Sequence, residues 1–158
     1  MGSGKSTLGK KLANKLGFAF IDLDKEIEEK EQQSINQIFE EKGEEYFRSV
    51  EKNILEELVS ENTSFVMALG GGTPCFNNNM EFINANGYSI YLKYNSGILF
   101  SRLVNAKTQR PLLKGKNDEQ LKQFIEEKLA EREKYYQKAN LICENNNISV
   151  ESVLGLIQ

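Results

Sequence analysis

Gly2-Ser3-Gly4-Lys5-Ser6-Thr7 places a lysine and two hydroxyls directly after a compact glycine turn. This is the tail of a phosphate-binding loop. Glycines let successive amides converge on phosphate oxygens, Lys5 neutralises β/γ charge, and the Ser6 hydroxyl suits Mg²⁺. A helix starting here aims its N-terminal dipole at the same anion. The full pattern also has an earlier glycine and a strand leading into the loop. Neither precedes Met1, so the expectation is that upstream residues are missing from this sequence. Met1-Gly2 with Ser6 also fits an N-myristoylation pattern. An acyl chain on Gly2 would fill the phosphate loop, and the phosphate reading is preferred.

The rarer charged residues come next. Of 23 acidic residues only Asp22, Asp24 and Asp118 are aspartates, and of 20 basic residues only Arg48, Arg102, Arg110 and Arg132 are arginines. Asp22 and Asp24 fall at the end of a short predicted strand, Phe18 to Leu23. If the extended geometry lasts through Leu23, period-two alternation points both carboxylates the same way. As plain structural residues the pair would be turn formers. Gly70-Gly71-Gly72 follows an apolar strand and permits close backbone approach.

These groups need elements to hold them. Leu8, Leu12 and Leu16 with Ala13 predict an amphipathic helix after the loop, stopped by Gly17. Residues 25 to 61 read as two or three helices. Ser34 and Gln37 form a capping box, Gly43 interrupts, and Phe47, Val50, Ile54 and Leu58 make an apolar stripe. Phe65 to Leu69 reads as a central parallel strand covered on both faces. A short helix over 78–85, a strand over 88–93 and a helix through Ile98 to Val104 follow. Residues 105–117 lack periodicity and read as an exposed loop or lid. Asp118 is expected to cap a long helix through Leu129. A strand at Leu141 to Cys143, a turn at Asn145 to Asn147 and a last helix capped by Ser149 complete an α/β alternation.

Composition narrows the classes. At 158 residues one domain is expected, able to bury roughly 70% of its extended surface. The chain has no histidine, which removes histidine triads and histidine metal sites. Cys75 and Cys143 make no disulfide framework, and a reducing cytoplasm is the simplest home. The longest apolar run, Phe65 to Leu69, is far too short to span a membrane. A net charge of −3 gives no reason to expect a nucleic-acid partner.

Taken together, MGSGKST at 1–7, FIDLD at 20–24, EEYFRSVE at 44–51, ALGGGTP at 68–74, RPLL at 110–113 and AEREKYY at 130–136 resemble the shikimate kinase family. These are small P-loop kinases of the nucleoside-monophosphate-kinase type. The segments occur in family order along almost the whole chain. The resemblance implies a three-layer α/β/α domain over 1–158 with a parallel sheet in order 2-3-1-4-5, the first strand absent here. It implies a helical substrate-binding subdomain at 25–62 and a lid at 105–117. The activity implied is transfer of the γ-phosphate of ATP, with Mg²⁺, to the 3-hydroxyl of shikimate by a cytoplasmic monomer acting without nucleic acid or membrane.

By the same resemblance, Gly2, Ser3, Gly4, Lys5, Ser6, Thr7, Arg102 and Arg110 bind the nucleotide, and Ser6 and Asp22 hold Mg²⁺. Asp24 contacts shikimate hydroxyls and serves as base. Arg48 and Arg132 grip the carboxylate, with Glu51 orienting Arg48, and Gly70, Gly71 and Gly72 frame the substrate. Lys5, Asp24 and Arg110 are the catalytic set. Phe39 and Phe47 read as packing residues that could also wall the pocket. The strand at 65–69 ends without the aspartate usual in P-loop proteins, and Asp22 covers part of that role. The rival readings are a gluconate-type kinase of the same fold and a nucleotide-binding regulatory module without turnover.

Overall fold

A helix begins immediately after the glycine turn, α1 at Lys5–Leu16. It buries Leu12 and Ala13 and leaves Leu16 39% exposed, so the apolar stripe is narrower than its leucine spacing suggests. Gly17 ends it at φ 71, with the Phe18 amide donating back to the Ala13 carbonyl. The computed structural model describes residues 2–105, 117–144 and 148–157. The chain divides into two compact units, Lys5–Gly87 and the segments Met1–Gly4 with Tyr88–Gln158.

In the Lys5–Gly87 unit, strand β1 is Ala19–Asp22 and helix α2 is Leu23–Glu31. The extended backbone stops at Asp22, so Asp24 lies in the first turn of α2 and not on the strand as the alternation suggested. The cause is packing: Leu23 and Ile27, one helical turn apart, are both completely buried. Helix α3, Ile35–Glu61, opens with the Ser34–Gln37 capping box and breaks at Gly43, where φ is 82. Its second half buries Phe47, Ile54, Leu55 and Leu58 against Ile21, Leu23, Ile27 and Ile38.

Strand β2, Phe65–Ala68, runs parallel to β1 and sets Asp22 opposite Ala68. Expected to be covered on both faces, β2 is fully buried only at Ala68. With one strand neighbour among the described residues, Phe65, Val66 and Met67 stay half-buried. A 3₁₀ turn at Thr73–Cys75 leads to α4 at Asn79–Asn86.

The other unit pairs β3, Ile90–Lys93, in parallel with β4, Leu141–Glu144. The described strands form two separate parallel pairs, β1–β2 and β3–β4, matching the neighbours 2-3 and 4-5 of the expected order. Helices α5, Ser96–Val104, and α6, Asp118–Tyr136, enclose Tyr94, Leu99, Leu103, Leu121 and Ile125. The N-cap of α6 is Asn117, in a capping box with Gln120, so Asp118 is the first helical residue and not the cap. Tyr91 fastens β3 to α6 by donating to Glu133 Oε2 at 2.8 Å, and burial with that bond pushes its phenol well above the usual tyrosine range.

Ser149 exchanges hydrogen bonds with Ser152 at the start of α7, Val150–Ile157. The turn expected at Asn145 to Asn147 lies outside the described residues, as does nearly all of the 105–117 lid. Cys143 is buried and Cys75 partly accessible, and neither is in a disulfide. Among the described residues no helix is long and apolar enough to cross a membrane.

Candidate active site

The end of β1, the start of α2, the second half of α3 and the turn after β2 meet within the Lys5–Gly87 unit. Ser6, in the first turn of α1, donates to Asp22 Oδ2 at 2.8 Å. A hydroxyl and a carboxylate form the hard-oxygen pair that suits Mg²⁺, which keeps several waters and takes its remaining ligands from substrate phosphates. Among the described residues no three carboxylates or thiols cluster as a self-sufficient metal cage.

Asp24 lies close by. Burial pushes its carboxyl above the usual aspartate range; Lys5 pulls it down, Asp22 and Glu28 push it up, and Arg48 again lowers it. Lys5 and Arg48 thus both act on Asp24 electrostatically inside one compact unit. The sequence places them in a glycine loop, after a strand and in a long helix.

Arg48 is held by carboxylates. Its Nη1 donates to Glu51 Oε2 at 2.8 Å, and its Nε and Nη2 reach the exposed Glu44 at 3.3 and 3.2 Å. Glu51 is only 1% exposed. Its other oxygen accepts the hydroxyl of the fully buried Thr73 at 2.7 Å. Asn79 in turn donates to the Thr73 carbonyl at 3.0 Å. A buried carboxylate joined to both a guanidinium and a hydroxyl fixes the arginine more firmly than a surface ion pair does.

The glycine run is flush against these groups. A Cβ on Gly70 would come within 2.8 Å of Asp24 Oδ1, and one on Gly72 within 2.7 Å of Arg48 Nη2. Gly72 has φ −86, open to any residue, so what demands glycine there is the nearness of the guanidinium. Gly71, between them, is half-buried.

The remaining residues, Thr7 and Arg110 apart, belong to the other unit. Gly4 takes φ 80, and Arg102 Nη1 donates to the Ser3 carbonyl at 3.0 Å, fixing the glycine turn to α5. The same guanidinium lies 4.1 Å from the Tyr94 ring. Gly2 packs where a Cβ would meet Leu103 at 3.0 Å. Thr7 is exposed on α1, and Arg132 is half-buried on α6. Arg110 is outside the described residues.

Comparison with known proteins shows the family. The shikimate kinase family profile matches residues 1–157. The chain belongs to the shikimate kinase family. A shikimate kinase of Parabacteroides distasonis is 45% identical over 152 residues, spanning 96% of this chain and 87% of that protein. The crystal structure of shikimate kinase from Bacteroides thetaiotaomicron superposes with a TM-score of 0.92 at 42% identity, covering 100% of this chain and 92% of that one. A shikimate kinase from Acinetobacter baumannii, solved in complex with shikimate, gives 0.87 at 36% identity over 99% and 88%. The fold is therefore that of an α/β P-loop kinase.

Sequence reasoning passed over three of the site's supports. Thr73 carries no motif of its own and acts only through a partner 22 positions away. Glu44 stands four residues before Arg48, a spacing that marks a helical ion pair and could have been read. Phe76, whose ring lies against Arg48, has no local signal.

Proposed function

We propose that this protein is an ATP-dependent shikimate kinase that transfers the γ-phosphoryl group of ATP to the shikimate 3-hydroxyl, giving shikimate 3-phosphate and ADP. The observation that carries the reading is the half-buried Asp24 carboxylate, set under the charges of both Lys5 and Arg48. One cation suits a terminal phosphate and the other a substrate carboxylate, and both act on the carboxylate that would serve as base. Activity of this kind serves the route to chorismate and the aromatic amino acids.

In this reading the amides of Gly2, Ser3, Gly4 and Lys5 with Ser6 and Thr7 cradle the nucleotide, and Arg102 keeps the turn in shape. Ser6 and Asp22 hold Mg²⁺, which when bound would offset charge on the phosphates. Asp24 orients the acceptor hydroxyl and takes its proton as the oxygen attacks. Phosphoryl transfer through a loose transition state asks for positioning more than strong base chemistry, so a carboxylate suffices. Arg48 grips the shikimate carboxylate as a planar fork, with Arg132 as its partner, and Gly70, Gly71 and Gly72 bring backbone against the ring. Arg110 closes over the transferred phosphate. The domain spans 1–158, the acceptor subdomain 25–62 and the lid 105–117, in a cytoplasmic monomer.

Titrating shikimate against MgATP in a coupled ADP assay tests the reading. Saturable, shikimate-dependent ADP release is expected; nucleotide binding without it would leave only a regulatory module, and release with gluconate instead would favour the sugar-acid kinase. Gly72→Ala supplies a finer check. Its methyl group must push the Arg48 guanidinium aside, so the shikimate KM should rise about tenfold with the KM for ATP unchanged. An unaltered shikimate KM would separate this turn from the acceptor.

A further inference from the structure

The Arg48 guanidinium is enclosed by more than its carboxylate partners. Glu44 and Glu51 bind its nitrogens, and two aromatic rings lie against it, Phe47 at 5.0 Å and Phe76 at 4.1 Å from ring centroid to guanidinium carbon. The rings differ in standing. Phe47 is a buried core residue next to Arg48 in the chain, whereas Phe76 is 38% exposed and contributes little to the core. Single exposed apolar residues are ordinary; what sets Phe76 apart is its ring against the guanidinium.

The chain around Phe76 is arranged to hold it there. The Thr73–Cys75 turn is closed by the Cys75 amide donating to the Gly72 carbonyl at 2.9 Å. Beyond Phe76, Asn77 and Asn78 both take left-handed backbone, φ 52 and 56, which asparagine tolerates better than most side chains. The Asn77 side-chain amide then donates to the Arg48 carbonyl at 2.9 Å. The segment that begins flush against the guanidinium at Gly72 therefore returns to the same arginine through Phe76 and Asn77.

We propose that Phe76 is a positioning residue for the acceptor carboxylate, its ring fixing the plane of the Arg48 guanidinium and shielding it from water. The inference rests on the reading of Arg48 as the shikimate-carboxylate ligand. A guanidinium over an aromatic face is attracted to the ring's negative quadrupole and loses the freedom to rotate out of plane. A bidentate partner then meets two N–H groups already aligned, and less ordering remains to be done on binding. Phe76 acts only through Arg48, so the effect falls on shikimate affinity.

Steady-state kinetics of the full chain and of Phe76→Ala, Phe76→Leu and Phe76→Tyr, varying shikimate and then ATP, decide the matter. Alanine and leucine should each raise the shikimate KM about fivefold, the size of one partly exposed cation–π contact. The turnover number and the KM for ATP should hold, and tyrosine should restore the wild-type value. Leucine performing as well as phenylalanine would overturn the proposal, because bulk alone would then be enough. So would an unchanged shikimate KM in the alanine variant, or a parallel shift in kcat and the KM for ATP. Melting curves identify a variant that fails to fold, in which case the volume-conserving leucine and tyrosine pair decides. A wild-type chain without shikimate-dependent turnover overturns the functional reading and this inference together, whereas an active wild type with indifferent Phe76 variants overturns the inference alone.

Discussion

Asp24→Asn should lower kcat by about two to three orders of magnitude, the usual share of a positioned general base, while raising the melting temperature. The two effects share a cause. Burial raises the Asp24 carboxyl above its ordinary value of 3.8, so the folded protein holds this proton more tightly than the unfolded chain does. The stability this carboxyl contributes is greatest below pH 3.8 and is lost as the pH rises through its native value. Asparagine keeps the shape and stays neutral. The variant should match the wild type's melting temperature in acid and exceed it increasingly as the pH climbs through that window. Activity has the opposite sign, because in the proposed mechanism the ionised form accepts the proton: wild-type kcat should fall on the acid side at a pH above the ordinary aspartate range. Turnover within tenfold of wild type would remove Asp24 from the chemistry.

Arg48→Ala should raise the shikimate KM by about a hundredfold, the loss of a charge-assisted bidentate contact. It should also destabilise the fold, because Glu51 at 1% exposure keeps only Thr73 as a side-chain partner among the described residues. Breaking a buried pair by removing one member costs about 3 kcal/mol or more, which for a chain of this size is a drop in melting temperature of about 6–12 °C. Arg48→Met combined with Glu51→Gln separates the two losses. Removing both charges should restore much of the melting temperature and none of the shikimate affinity. A single variant with normal shikimate KM would show that the arginine is structural alone.

Local chemistry was legible in the sequence where it was self-contained. The Ser34–Gln37 box, the Gly43 break and the glycine turn before Lys5 each depend on neighbours within a few residues, and the structure has all three. The helical start at Leu23 was not legible, because it is set by burial of Leu23 and Ile27 against α3 and β1, which no local pattern reports. The α6 cap was a nearer miss. Asn117 and Asp118 are both good caps, and only Gln120, three residues after Asn117, distinguishes them.

The site follows the same division. Arg48 and Glu51 are one helical turn apart and readable as a pair. Thr73, Asn77 and Phe76 reach Arg48 or Glu51 only through the chain reversal after β2, so their roles became visible only in three dimensions.

The two thiols differ in a way that has a practical use. Cys143 is sealed in β4 and its ionisation is suppressed by burial, whereas Cys75 sits partly accessible in the turn between Gly72 and Phe76. Gentle alkylation should therefore tag one position, in the turn that packs against Arg48. A small environment-sensitive dye attached there would follow acceptor-site occupancy by fluorescence without any engineered handle.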